Sequence, residues 1–196
     1  METTTQTTTQ TSAMPKLTVD YEITQDGLSV EYRLKNDTRE PIYIFNVLLA
    51  PGSLDTVADA PFFSSLKSDG TLTFSKRIPP VPMIRSVEFR QIPFATKVEP
   101  GGSFSDKQTL KLPVEEFNPY FPKGPDAKVE VAESDRVVFV LQFVREIEGL
   151  DVKEAPVSNA YKLYHKDLLK LVETINSDPR PLRVKVERRT DTFERF

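Results

Sequence analysis

The stretch LTVDYEITQDGLSVEYRLKNDTREPIYIFNVLL, residues 17–49, alternates apolar and polar side chains on both sides of Asp26-Gly27. Alternation with period two, broken by a turn pair, marks two strands of a hairpin. Asp-Gly suits a two-residue turn whose central residues both take positive φ. With Asp26 and Gly27 as the loop, Ile23 faces Val30, Tyr21 faces Tyr32 and Val19 faces Leu34. These pairs share one face of the pleat, and each adds roughly 0.2–1 kcal/mol. The other face sets Asp20 beside Arg33 and Glu22 against Glu31. The run Ile42 to Leu49 then follows, apolar on both faces, so it needs a cover on each side.

The same β pattern continues along the chain. Leu72 and Phe74 alternate with Thr and Ser, and Val87 and Phe89 alternate with Glu88 and Arg90. Pro100-Gly101-Gly102 is a turn before a strand over Phe104 to Leu112. Val129 and Val131 precede a second all-apolar run, Arg136 to Val144, and Leu182, Val184 and Val186 alternate near the end. Roughly eight to ten short strands punctuated by turns predict a mainly β, antiparallel sandwich or barrel. The 16 prolines mark boundaries and edges, because proline cannot donate to a ladder.

One segment has a different period. From Ser158 to Asn176 the residues Tyr161, Tyr164, Leu168, Leu171, Val172 and Ile175 fall on one helical stripe. This predicts one C-terminal helix near 158–176, stopped by Pro179 and Pro181. The competing reading makes Tyr161 to His165 a strand hairpinned onto Arg136 to Val144, with only Lys166 to Ile175 helical. The helix is expected to cover the outer faces of 42–49 and 137–144. A partner or a second copy of the chain is the other candidate cover.

Composition bounds the function. The 196 residues carry a net charge of −3, which favours neither nucleic acid nor an anionic membrane as partner. No cysteine is present, which removes disulfides, thiolate metal sites and cysteine nucleophiles and suits a reducing, cytoplasmic setting. Residues 1–15 repeat Thr-Thr-Thr-Gln, lack an apolar signal core and have too little apolar surface to offset ordering, so a disordered tail is expected. Residues 16–190 then form a single β-sandwich domain, and 191–196 a short tail. No apolar run reaches the ~18–20 residues of a membrane-spanning helix.

Catalytic patterns are missing from the sequence. His165 is the one histidine, sits in the helical stripe and has no nucleophile elbow to serve. Glu115-Glu116 and Asp151 with Glu154 read as solvated loop charges. No phosphate-loop, dinucleotide or EF-hand pattern occurs. We therefore expect no catalytic, cofactor or metal residues.

Three segments suggest contact with another molecule. Lys76 to Arg85 (KRIPPVPMIR) favours extended, polyproline-like backbone flanked by positive charge. Arg77, Pro79, Pro80, Pro82, Met83 and Arg85 are its candidate partner contacts, although a stiff crossover between sheets is the more ordinary reading of the segment. Tyr120 and Phe121, in the loop Phe117 to Pro122, form either an apolar contact surface or a plug. Arg180, Arg183, Lys185, Arg188, Arg189 and Arg195 place alternating charge on a terminal edge strand, a guard against edge-to-edge pairing, with a phosphate-binding surface as the lesser alternative.

A resemblance follows from the turn chemistry. Leu28, Val30, Tyr32, Leu34, Asn36, Thr38, Pro41 and Ile42 spell L-x-V-x-Y-x-L-x-N-x-T-x-x-P-I, and Pro100-Gly101-Gly102-Ser103-Phe104 spells P-G-x-S-F. The pair resembles elements of bacterial intracellular proteinase inhibitors and of related immunoglobulin-like β-sandwich domains. The resemblance implies an immunoglobulin-like fold and a non-catalytic binding role, protease inhibition among the options. No inhibitory residue carries over. The expected function is thus a binding or interaction module with an unidentified protein partner or a homo-oligomer. A hydrolase or small-ligand binder using loop carboxylates is the alternative.

Overall fold

The structure, a computed structural model, describes residues 13–81 and 87–190. Its first strands are β1 (Lys16–Thr24), β2 (Gly27–Lys35), β3 (Ile42–Val47), β4 (Phe63–Leu66) and β5 (Thr71–Lys76). Next come β6 (Phe94–Val98), β7 (Ser103–Leu110), β8 (Val114–Glu115), β9 (Val129–Glu133) and β10 (Arg136–Arg145). The last elements are β11 (Asp151–Glu154), β12 (Tyr161–Tyr164), α1 (Leu168–Leu171), β13 (Glu173–Asn176), β14 (Arg180–Pro181) and β15 (Lys185–Arg189). The fold is mainly β, in three sheets: β1-β2-β7, a nine-stranded sheet along β11-β12-β6-β3-β10-β5-β4, and β8-β15-β9.

The opening hairpin forms, but two residues out of the expected register. Ile23 pairs with Leu28, Tyr21 with Val30 and Val19 with Tyr32, and Gln25-Asp26 make the loop. A shift of two preserves parity, so Tyr21, Val30, Tyr32 and Leu34 still face inward, while Ile23 at the hairpin end is half exposed. Gly27 belongs to β2 rather than to the loop. Its φ is +140°, and a Cβ there would lie 2.0 Å from the Leu110 carbonyl oxygen of β7. The close approach of β7 demands the glycine. Asp20 now opposes Glu31, and Arg33 instead bonds Glu31 along its own strand at 2.5 Å.

β10 is the spine. One edge pairs in parallel with β5 and then antiparallel with β3; the other meets β14 and then β13. The parallel pair departs from the all-antiparallel expectation, since a long connection between β5 and β10 frees them from hairpin geometry. One face of the spine packs Val137, Phe139, Leu141 and Phe143 against Leu28, Val30, Tyr32 and Leu34 of the three-stranded sheet. The rings of Tyr32 and Phe139 stack at 4.6 Å.

The second apolar face of β3 is covered from within the chain, though not by a long helix. Tyr43, Phe45 and Val144 pack with Ile78, Ala95, Leu163 and Leu168. The expected helix over 158–176 is replaced by strand β12, the four-residue α1 and strand β13. β12 pairs with β11 and β6, whereas β13 pairs with β10. Unpaired edges of β6 and β10 thus overrode a helical period, which short apolar runs specify weakly. His165 sits in the turn before α1, where its Nδ1 accepts the Asp167 N–H at 3.1 Å.

Other expectations also shift. Val87 to Arg90 forms bends, not a strand. β15 is the central strand of its sheet, so its arginines and lysine guard no edge. Residues 1–12, most of the expected tail, lie outside the described residues, as do 82–86 and 191–196. Ala13 is already held, its carbonyl accepting from Arg145 Nη2 at 3.1 Å, and Pro15 is buried.

The two motifs behind the family resemblance meet in space. Asn36 is fully buried; its Nδ2 donates to the carbonyls of Glu40 and Val98, both at 2.9 Å. Its Oδ1 accepts from the Thr38 N–H at 3.0 Å and lies 2.6 Å from the Thr38 hydroxyl. Its backbone N–H donates to Gly102 O at 2.9 Å, and its carbonyl accepts from Gly101 N at 2.8 Å. One asparagine therefore ties the β2–β3 loop to the turn between β6 and β7.

Candidate functional site

The strand β5 is buried along its whole length, with two chemically different faces. Leu72 and Phe74 enter the main core. Lys76, on the same side, is 5% exposed and donates to Asn46 O at 2.6 Å, with its ammonium 5.2 Å from the Phe62 ring centroid. Burial pushes its pKa down to about 8. The opposite face, Thr73 and Ser75 with Arg77 just beyond the strand, floors a groove.

Each wall of the groove follows from local sequence. Pro79 and Pro80 continue past Arg77 in extended backbone and form one wall. Ile78 between them and Arg77 is anchored, its N–H donating to Gln142 Oε1 at 3.0 Å. The facing wall is the loop Phe117 to Phe121. Asn118 starts a turn there: its carbonyl accepts the Phe121 N–H at 3.0 Å and its side-chain oxygen the Tyr120 N–H at 2.9 Å. Asn followed by proline is the residue order such a turn favours. Phe117 stacks on Phe63 at 5.9 Å.

Glu116 closes the end of the groove and is spoken for. Its Oε1 accepts the Leu66 N–H at 2.7 Å, and its Oε2 the Arg189 N–H at 2.9 Å. One carboxylate thereby caps the edge of β4 and joins it to β15. Burial raises its pKa above the usual carboxylate range, opposed by those two backbone donors. Together with the Ser64–Phe117 bridge, Glu116 leaves little of the β4 edge open to an added strand. Arg189 is 9% exposed and donates from Nη1 to Phe121 O at 3.0 Å.

Arg77 differs from every other charge here. It is half-buried, and among the described residues no carboxylate forms an ion pair with it and its buried Nε has no hydrogen-bond partner. Desolvation alone lowers its pKa from the ordinary arginine value. The Thr73 hydroxyl on the same face is likewise buried and unpartnered among the described residues.

The groove has an interior volume of about 50 Å³. Sites for metabolite-sized ligands occupy roughly 300–1,000 Å³. The space therefore suits the end of one side chain, not a nucleotide or sugar. A wider basin of about 430 Å³ lies on the outer face of the three-stranded sheet. Of its three cations, all exposed, Arg33 and Lys35 are bonded to Glu31 and Gly101 O, and Lys16 lies at the start of β1.

Of the residues singled out from sequence, Arg77, Pro79, Pro80 and Phe121 line this groove together. They do not project: Pro79 is buried, and Tyr120 and Phe121 are each 8% exposed. Tyr120 plugs the fold behind the groove, its hydroxyl accepting the Gln91 N–H at 3.2 Å. Pro82, Met83 and Arg85 lie outside the described residues. Sequence reasoning missed Thr73, Glu116 and Arg189. The doublets Glu115-Glu116 and Arg188-Arg189 were the available signal, because adjacent residues on a strand face opposite sides and one of each pair must turn inward. Glu115 is exposed beside Lys123, at 3.4 Å, while Glu116 is enclosed. Asp151 and Glu154 stand exposed at opposite ends of β11. Among the described residues no group of three or more His, Asp or Glu could hold a metal ion, and no helix is long and apolar enough to cross a membrane.

No family model, curated protein or solved structure matches this chain.

Proposed function

We propose that the protein is a non-catalytic β-sheet binding module whose protein partner docks along the groove between Pro79-Pro80 and Phe117–Phe121. The observation that carries this reading is the convergence of two segments about 40 residues apart on a small apolar-walled groove floored by Arg77, whose buried Nε has no partner among the described residues. The groove's one carboxylate, Glu116, has both oxygens engaged by backbone donors, so it supplies no acid–base pair. The resemblance to intracellular proteinase inhibitors makes a proteinase one class of partner within this reading. Its motifs build the Asn36 node, a structural tie rather than a reactive loop.

Deleting residues 77–85 is a poor test, because Ile78 belongs to the cluster that covers β3. Point variants are cleaner. Affinity capture from native lysate would compare the parent protein with Arg77→Glu and Phe117→Ala in the groove, and with Lys107→Glu on the three-stranded sheet. Specific partners lost with both groove variants and kept with Lys107→Glu support the reading. Identical partners for all four proteins, each with an intact unfolding transition, would overturn it.

A further inference from the structure

We infer that the groove recognises a carboxylate side chain carried on an extended, apolar-flanked peptide segment of the partner, with Arg77 as its counter-charge. This rests on the groove being the docking site and specifies what enters it. The guanidinium is partly withdrawn from water with no ion pair among the described residues, and its buried Nε–H has no acceptor there. A buried donor without an acceptor is costly, and a planar guanidinium matches a carboxylate in two parallel bonds. The interior volume of about 50 Å³ admits such a group and little more.

The occupant is a chain rather than a free ion. Thr73 lies four residues from Arg77 on the same strand face, about 13 Å away at strand rise. An extended segment along β5 can place an acid at Arg77 and a backbone carbonyl at the Thr73 hydroxyl, which is also unpartnered among the described residues. Pro79, Pro80, Phe63 and Phe117 then meet apolar side chains flanking the acid. Glu116 does not repel the ligand strongly, because its charge is directed at the Leu66 and Arg189 N–H groups.

The test uses the full-length protein, isotope-labelled, titrated with blocked Phe-Glu-Phe-Val-Phe and Phe-Gln-Phe-Val-Phe peptides and followed by amide NMR shifts. The Glu peptide should shift amides at 73–77 and 117–121 saturably and bind roughly ten-fold tighter than the Gln peptide. Arg77→Gln should remove that preference, and Arg77→Lys should restore part of it. Thr73→Val should weaken both peptides equally. Equal groove shifts from both peptides would overturn the carboxylate inference and leave the docking reading standing. Shifts confined to the basin around Lys16, Arg33 and Lys35, or no groove shift from either peptide, would overturn both. A preference for Glu that survives in Arg77→Gln would also overturn the inference.

Discussion

Two buried polar centres of this molecule behave in opposite ways. At Asn36 both side-chain heteroatoms and both backbone groups have partners, and they join loops some 60 residues apart. At Arg77 and Thr73, on the floor of the groove, a guanidinium Nε and a hydroxyl have none among the described residues. The first centre has committed its hydrogen bonds to folding. The second withholds them, and a fold tolerates that cost where a ligand can supply the missing partners. Removing the polar group should therefore be expensive at Asn36 and nearly free at Arg77.

The largest effect should come from Asn36→Ala. It removes the side-chain partner of the Val98 carbonyl and of the Thr38 N–H in a buried site, while the Glu40 carbonyl keeps the Thr38 hydroxyl, and should cost about 3–5 kcal/mol in denaturant unfolding. A loss below about 1 kcal/mol would erase the contrast between the two centres.

Next is the pH response of Lys76. Its folded pKa of about 8 lies below the ordinary lysine value of 10.5, so between these values the unfolded chain holds more protons. Stability then rises with pH through this window, by roughly 3 kcal/mol if completed. Tyr21 opposes the upper part, since burial raises its phenol to about 12 and the folded state keeps that proton longer above pH 10. Unfolding midpoints should climb from pH 8 to about pH 10, and Lys76→Met should flatten the climb.

Glu116→Gln should be milder, about 1–2 kcal/mol less stable at neutral pH, because an amide NH₂ replaces one acceptor facing a backbone N–H. Its raised folded pKa means that the parent carboxyl contributes stability below about pH 4.5, lost as pH rises through the folded value. Parallel urea titrations of parent and variant across that range should therefore diverge.

The smallest effect belongs to Arg77→Gln, which should change stability by less than about 0.5 kcal/mol or increase it slightly, since it relieves an unpaired desolvated charge. A loss of 2 kcal/mol or more would show that Arg77 is structural and would remove the basis for a ligand at the groove.

Part of this was readable from residue order. Alternation in 17–35 assigned side chains to faces correctly and survived a register error, because a two-residue slip keeps parity. The register itself depended on Leu110 O, which approaches Gly27 from a strand more than 80 residues away. The stripe from Tyr161 to Ile175 marked the right buried residues and the wrong element. Leu163 and Leu168 do cover β3, but strand edges of β6 and β10 drew the flanking residues into ladders. Within the groove, proline and aromatic clusters identified both walls. Of the floor, Arg77 was named from sequence, whereas Thr73 stayed hidden, because its hydroxyl stands out only by the partner it lacks among the described residues.

By itself the sequence determined the mainly β class, the inward face of the opening hairpin and the absence of cysteine chemistry, since these follow from side-chain period and residue identity. Tertiary structure alone decided which edges pair, what covers the second face of β3, and which polar groups stay unpartnered. Those outcomes depend on contacts between segments distant in the chain, which no local pattern encodes.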